Sequence, residues 1–99
     1  MVTRTRRNGA LYSFYLIHEE TRSGWKHYIK AVKTPDDEKQ PEIIKNIPVK
    51  TLEGYSIKIN KKSISAADGA RGAFSFIRNC IRNDFMMTYV YKIIETFFD

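Results

Sequence analysis

Ala10-Leu11-Tyr12-Ser13-Phe14-Tyr15-Leu16-Ile17-His18-Glu19, then Glu20-Thr21-Arg22-Ser23-Gly24, then Trp25-Lys26-His27-Tyr28-Ile29-Lys30-Ala31-Val32-Lys33, is the stretch whose reading decides the fold. Two runs rich in aromatic and β-branched residues flank a polar connection ending in glycine, the pattern of a β-hairpin. With Glu19 set opposite Gly24, Phe14 faces Ile29, Leu16 faces His27, Tyr15 faces Tyr28 and Ser13 faces Lys30. One side of the hairpin then holds Tyr12, Phe14, Leu16, Trp25, Ile29 and Ala31 and reads as a core face. The other holds Tyr15, Tyr28, Lys26 and Lys30, with Leu11 and Val32 at one end.

Outward from the hairpin, residues 1–9 read as a flexible basic arm carrying Arg4, Arg6 and Arg7, closed by the turn pair Asn8-Gly9. Residues 34–46 read as an acidic loop broken by Pro35 and Pro41, with one helical turn at 42–46. Gly54 marks a turn into a strand over 55–61, in which Tyr55, Ile57 and Ile59 alternate with Ser56, Lys58 and Asn60.

The last third carries helical spacing. Ser65 and Asp68 form a capping-box-like start, and the pattern runs to about Asn83, weakened by Gly69 and Gly72. At about 100° per residue, Arg71, Ser75, Arg78 and Arg82 fall on one narrow stripe, the arginines within roughly 40° of one another. Ala70, Ala73, Phe76, Ile77, Cys80 and Ile81 occupy the other side. In the segment 85–98, Phe85, Tyr89, Ile93 and Phe97 recur at helical spacing, although Thr88–Ile93 would also suit a strand. Length and the absence of Gly or Pro favour the helix. Its apolar residues cover more than one face, which implies deep burial or a homodimer formed through Phe85–Phe98. The expected fold is a single α+β domain: an antiparallel sheet of three to four strands, built on the N-terminal hairpin and packed by two C-terminal helices.

Composition narrows the function classes. The 99 residues are 42% hydrophobic and 13% aromatic, which suits a folded domain with its own core. The net charge is +6 and the sequence pI about 9.6, favouring phosphate-rich or acidic partners. Residues 1–33 balance at +5, residues 34–60 at −1 and residues 61–99 at +2, so two basic regions flank an acidic loop. The single cysteine, Cys80, excludes an internal disulfide and a cysteine-rich zinc site, and its apolar setting marks it as inert. A reducing, cytoplasmic setting is expected, with no export signal and no membrane association.

Four constellations carry potential chemistry. The arginine stripe offers always-charged bidentate donors, and three along one face suit a phosphate backbone. Lys61 and Lys62 add cations close to it in sequence, and Arg4, Arg6 and Arg7 supply an arm that reaches along phosphates. The strand face of Tyr15, Tyr28, Lys26 and Lys30 combines rings and lysines as single-stranded nucleic-acid binders do. Gly69-Ala70-Arg71-Gly72 resembles the backbone-clamping GxxG loop of KH domains. That resemblance spans only residues 55–94, implies a strand at Phe85–Ile94, and leaves Ser65–Asp68 too short for the first helix of that family.

The enzymatic reading is weak. His18 and His27 fall diagonally on one face without a third ligand, and no catalytic triad, P-loop or paired-carboxylate spacing is present. Neither a metal nor a cofactor is expected. The sequence therefore reads as a small basic non-enzymatic nucleic-acid-binding protein that contacts phosphates through an arginine-striped helix. The alternative is an intracellular interaction module or inhibitor, a phage-type accessory protein docking on an acidic or nucleoprotein partner.

Overall fold

The computed structural model describes residues 1–66 and 69–99. Four strands, β1 (Val2–Arg7), β2 (Ala10–Thr21), β3 (Gly24–Pro35) and β4 (Ile43–Pro48), form an antiparallel sheet in the order β1-β2-β3-β4. A 3-10 turn at Val49–Leu52 leads to a second, two-stranded sheet, β5 (Ser56–Ile59) and β6 (Lys62–Ser65). Two helices follow, α1 (Gly69–Arg82) and α2 (Met87–Phe98). The architecture is the expected α+β sheet packed by C-terminal helices, with the β5–β6 hairpin added.

The central hairpin pairs two residues out from the expected register. Thr21 opposes Gly24 across the loop Arg22-Ser23, so Phe14 opposes Ala31, Leu16 opposes Ile29, Tyr15 opposes Lys30 and Ile17 opposes Tyr28. Gly24 adopts φ +116°, and Thr21 Oγ1 donates to its carbonyl at 2.7 Å, which closes this tight loop. Because side chains alternate with a period of two, a slip of two leaves each face with its expected residues. Tyr12, Phe14, Ile29 and Ala31 are buried accordingly. Trp25 is the exception, 65% exposed. β1 begins opposite Tyr15 and β4 ends opposite Tyr28, so residues 17–27 project as a two-stranded ribbon that carries Trp25 beyond the core.

The first nine residues are no arm. Val2–Arg7 is an edge strand, joined to β2 by a two-residue turn in which Asn8 (φ 49°) and Gly9 (φ 74°) take the left-handed conformations such hairpins require. The alternation of threonine with arginine fits an edge strand: Thr3 is buried on the helix side while Arg4 and Arg6 are exposed on the other. Residues 43–46 are likewise strand, not loop or helical turn; Ile43, Ile44 and Ile47 are β-branched and complete the ladder on β3. The acidic segment proper is thus the short connection between β3 and β4.

In the second hairpin, Asn60 (φ 52°) and Lys61 (φ 65°) turn the chain, and Ile57 is buried while Ser56 and Lys58 are exposed, as the alternation predicts. β6 runs to Ser65 and α1 is described from Gly69; the Asp68 half of the anticipated capping box lies outside the described residues. Gly69 opens α1 with φ +75°, and Gly72 lies inside an unbroken helix. The Gly69–Gly72 segment is therefore no clamp loop, and Phe85–Ile94 supplies no strand, so the KH-like order is absent.

α2 is helical, as its spacing and length suggest. Met87, Val90, Ile93 and Ile94 are buried, and the aromatic residues beyond that stripe pack within the same chain. Phe98 meets Tyr12 edge-on at 5.3 Å, and Tyr89 meets Phe76 at 5.9 Å. Intramolecular packing thus absorbs much of the apolar surplus that suggested a homodimer, although Phe85 remains 73% exposed. Among the described residues, no helix is long and apolar enough to cross a membrane.

Candidate nucleic-acid interface

Which side of the sheet the helices cover is fixed by a few contacts. Arg7 of β1 pairs with Glu95 of α2 at 2.6 Å and lies 4.2 Å from the Tyr91 ring centroid. Tyr12 of β2 packs on Phe98, and Arg78 of α1 donates to the Met1 sulfur at 3.2 Å. Met1, Arg7 and Tyr12 all belong to the face that also carries Phe14, Ile29 and Ile47. These hydrogen bonds, ion pairs and ring contacts from α1 and α2 to the sheet all engage that one face.

The opposite face carries Arg4 and Arg6 from β1, Tyr15 and Ile17 from β2, Lys26, Tyr28 and Lys30 from β3, and Ile44 and Asn46 from β4. Buried Ser13 and Val32 form its floor between taller neighbours. The Lys26 ammonium lies 5.1 Å from the Tyr28 ring centroid, and that of Lys30 lies 5.9 Å from Tyr15. Tyr28 Oη donates to the Glu19 carboxylate at 3.2 Å; partial burial and this neighbouring anion push its phenol pKa above the ordinary value. Arg6 is paired with Asp36 at 2.7 Å, so Arg4, Lys26 and Lys30 are the cations of this face without a salt bridge among the described residues. Four strands give the platform a width of roughly 14 Å.

The arginine stripe is divided. Arg71, Ser75 and Arg78 line a cleft of about 340 Å³ together with Met1, Leu16, His18 and Phe74, on the helix-covered side of the sheet. Arg82 is outside that lining; it is exposed in the last turn of α1, where a cation complements the helix dipole. Lys61 and Lys62 sit at the tip of the β5–β6 hairpin, and no ion pair, ring contact or cleft among the described residues joins them to the arginines. Arg7, one of the anticipated binding cations, is held structurally by Glu95 and Tyr91. Of the anticipated binding residues, the structure groups Arg4, Lys26, Tyr28 and Lys30 on one face and Arg71 and Arg78 in a separate cleft.

His18 and His27 stand directly opposite, not diagonal, with Nδ1 atoms 2.6 Å apart and ring planes at 85°. The two-residue loop accounts for this, and only the turn length hinted at it. Both rings line a second opening of about 270 Å³ beside Gly69, Ala70 and Arg71. Among the described residues, no group of three His, Cys, Asp or Glu could hold a metal ion. Cys80 is fully buried, and burial pushes its thiol pKa up to about 12. Comparison of the chain with family models, with curated proteins and with solved structures returned no match.

Proposed function

We propose that this protein binds single-stranded nucleic acid on the face of the four-stranded sheet that α1 and α2 leave uncovered. The observation that supports it most is the arrangement of Tyr15 and Tyr28, diagonal neighbours on the central strands, with Lys26, Lys30 and Arg4 around them. Rings on a sheet surface stack on any base, because every base has a π-face, and flanking cations follow the phosphates. The dimensions suit about four nucleotides. Phosphate contact is therefore assigned to the sheet cations in preference to the helical arginines, and the chain performs no catalysis in this reading.

The test is fluorescence anisotropy with an eight-residue oligothymidylate over a salt series. Three phosphate contacts on a single strand give a slope of about −2 for log affinity against log salt. Replacing Lys26 and Lys30 together with glutamate should abolish binding at low salt. Undiminished binding by that double variant, or no saturable binding by the native chain, contradicts the proposal. Docking on an acidic protein instead predicts that the native chain ignores oligonucleotides while the same charge reversal breaks a protein complex.

A further inference from the structure

We infer that the cleft between α1 and the β1–β2 edge is a separate binding site for a phosphate monoester, independent of the sheet platform. Arg71 and Arg78, one turn pair apart on α1, enter it from one wall, and His18 of β2 enters from the other. None of the described residues lining it is acidic. Two guanidinium groups facing an imidazole with no carboxylate between them form an incomplete charge arrangement, and an anion completes it.

The bonding of Arg78 points the same way. Its Nε is buried and has no hydrogen-bond partner among the described residues. Among the described residues its Nη1 donates only to the Met1 sulfur, and a thioether is a weak acceptor. A buried guanidinium N–H without a partner carries a desolvation cost that an incoming oxyanion removes. Met1 is 83% exposed, so its side chain can leave the guanidinium without disturbing the core. Ser75 Oγ accepts from Asn79 Nδ2 at 3.4 Å, which leaves its own O–H to donate into the cleft.

Shape and surroundings restrict the ligand. A volume of about 340 Å³ is at the lower end of the roughly 300–1,000 Å³ typical of small-molecule sites, enough for a phosphate and part of what it is attached to. Leu16 and Phe74 supply an apolar wall that strengthens the charge–charge contacts and accommodates a carbon-bearing substituent. A guanidinium pair matches a terminal dianionic phosphate better than a singly charged diester. The same chemistry is offered by a free mononucleotide and by the 5′-phosphate of an oligonucleotide.

The experiment uses the whole chain and four probes at matched ionic strength: sodium chloride, inorganic phosphate, AMP, and an eight-residue oligothymidylate with or without a 5′-phosphate. Calorimetric titration should show saturable binding of AMP that chloride does not reproduce. Arg71→Gln and Arg78→Gln should each weaken it about tenfold, while Arg82→Gln, on the same helix but outside the cleft lining, leaves it unchanged. Arg71 is exposed, so its variant tests the site even if Arg78→Gln unfolds. A 5′-phosphate that raises oligonucleotide affinity at least tenfold in the Tyr28→Ala background identifies the strand end as the source; no such gain alongside AMP binding identifies the free nucleotide. No saturable binding of inorganic phosphate or AMP together with no gain from the 5′-phosphate in the Tyr28→Ala background, or full AMP binding by Arg71→Gln, overturns the inference and leaves the sheet platform untouched.

Discussion

The Lys26 ammonium lies 5.1 Å from the centroid of the Tyr28 ring, on the sheet face opposite the helices. A base that stacks on Tyr28 must displace that lysine from the ring. An exposed cation–π contact contributes about 0.5–1 kcal/mol, whereas base stacking on an aromatic residue contributes about 1–3 kcal/mol. Stacking wins, and the displaced ammonium remains close enough to meet a phosphate. Tyr28→Ala should therefore weaken single-strand binding by about 1–3 kcal/mol with an unchanged salt slope. Lys26→Gln should reduce the slope by about 0.7 with a smaller loss at low salt. Anisotropy titrations of the two variants separate these outcomes.

Arg7 tests which arginines are structural. Its side chain is 23% exposed, bonded to Glu95 and stacked on Tyr91, so it ties the β1 edge strand to α2. Arg7→Ala should cost about 1 kcal/mol of stability, which for a domain of this size lowers the melting temperature by about 4–8 °C. Oligonucleotide affinity should stay within twofold of the native value. A melting scan and one anisotropy titration check both halves.

Trp25 and Phe76 form a contrasting pair. Trp25 is 65% exposed on the projecting ribbon, whereas Phe76 is fully buried against Tyr55 and Tyr89. Phe76→Ala should cost about 3–5 kcal/mol through cavity formation, while Trp25→Ala should stay within about 0.5 kcal/mol. Urea denaturation of both variants measures the difference. A large loss for Trp25→Ala would place that ring in the core.

Cys80 gives a pH prediction with a definite sign. Its ordinary pKa of 9.0 rises to about 12 in the folded state because burial disfavours the thiolate. The folded chain holds the proton more tightly than the unfolded chain, so this group's stabilisation is full below pH 9 and lost between about 9 and 12. A thiol reagent at pH 8 should label the native protein far more slowly than the urea-unfolded protein. Equal rates would contradict the burial.

Much of this fold was legible because its pattern is local. Alternation set the faces of β2 and β3, and that reading survived a register error of two residues, since parity is unchanged by an even slip. Helical spacing set α1 and α2. Pairing partners far along the chain were not legible: Val2–Arg7 looked like an arm until β2 supplied its ladder, and residues 43–46 looked like loop until β3 did. The two arrangements that bear most on function depend on such tertiary placement. Arg71 and Arg82 share a stripe in sequence, yet only Arg71 reaches the cleft with Arg78 and His18. His18 and His27 became direct partners only because the connecting loop has two residues.

The central claim is that the uncovered sheet face is the nucleic-acid surface. A ¹H–¹⁵N chemical-shift titration with an unphosphorylated eight-residue oligothymidylate tests it most directly. The account predicts the largest shifts at Arg4, Tyr15, Lys26, Tyr28 and Lys30, with α1 nearly unmoved. Shifts centred on Arg71, Arg78 and Arg82 with a silent sheet face would contradict it.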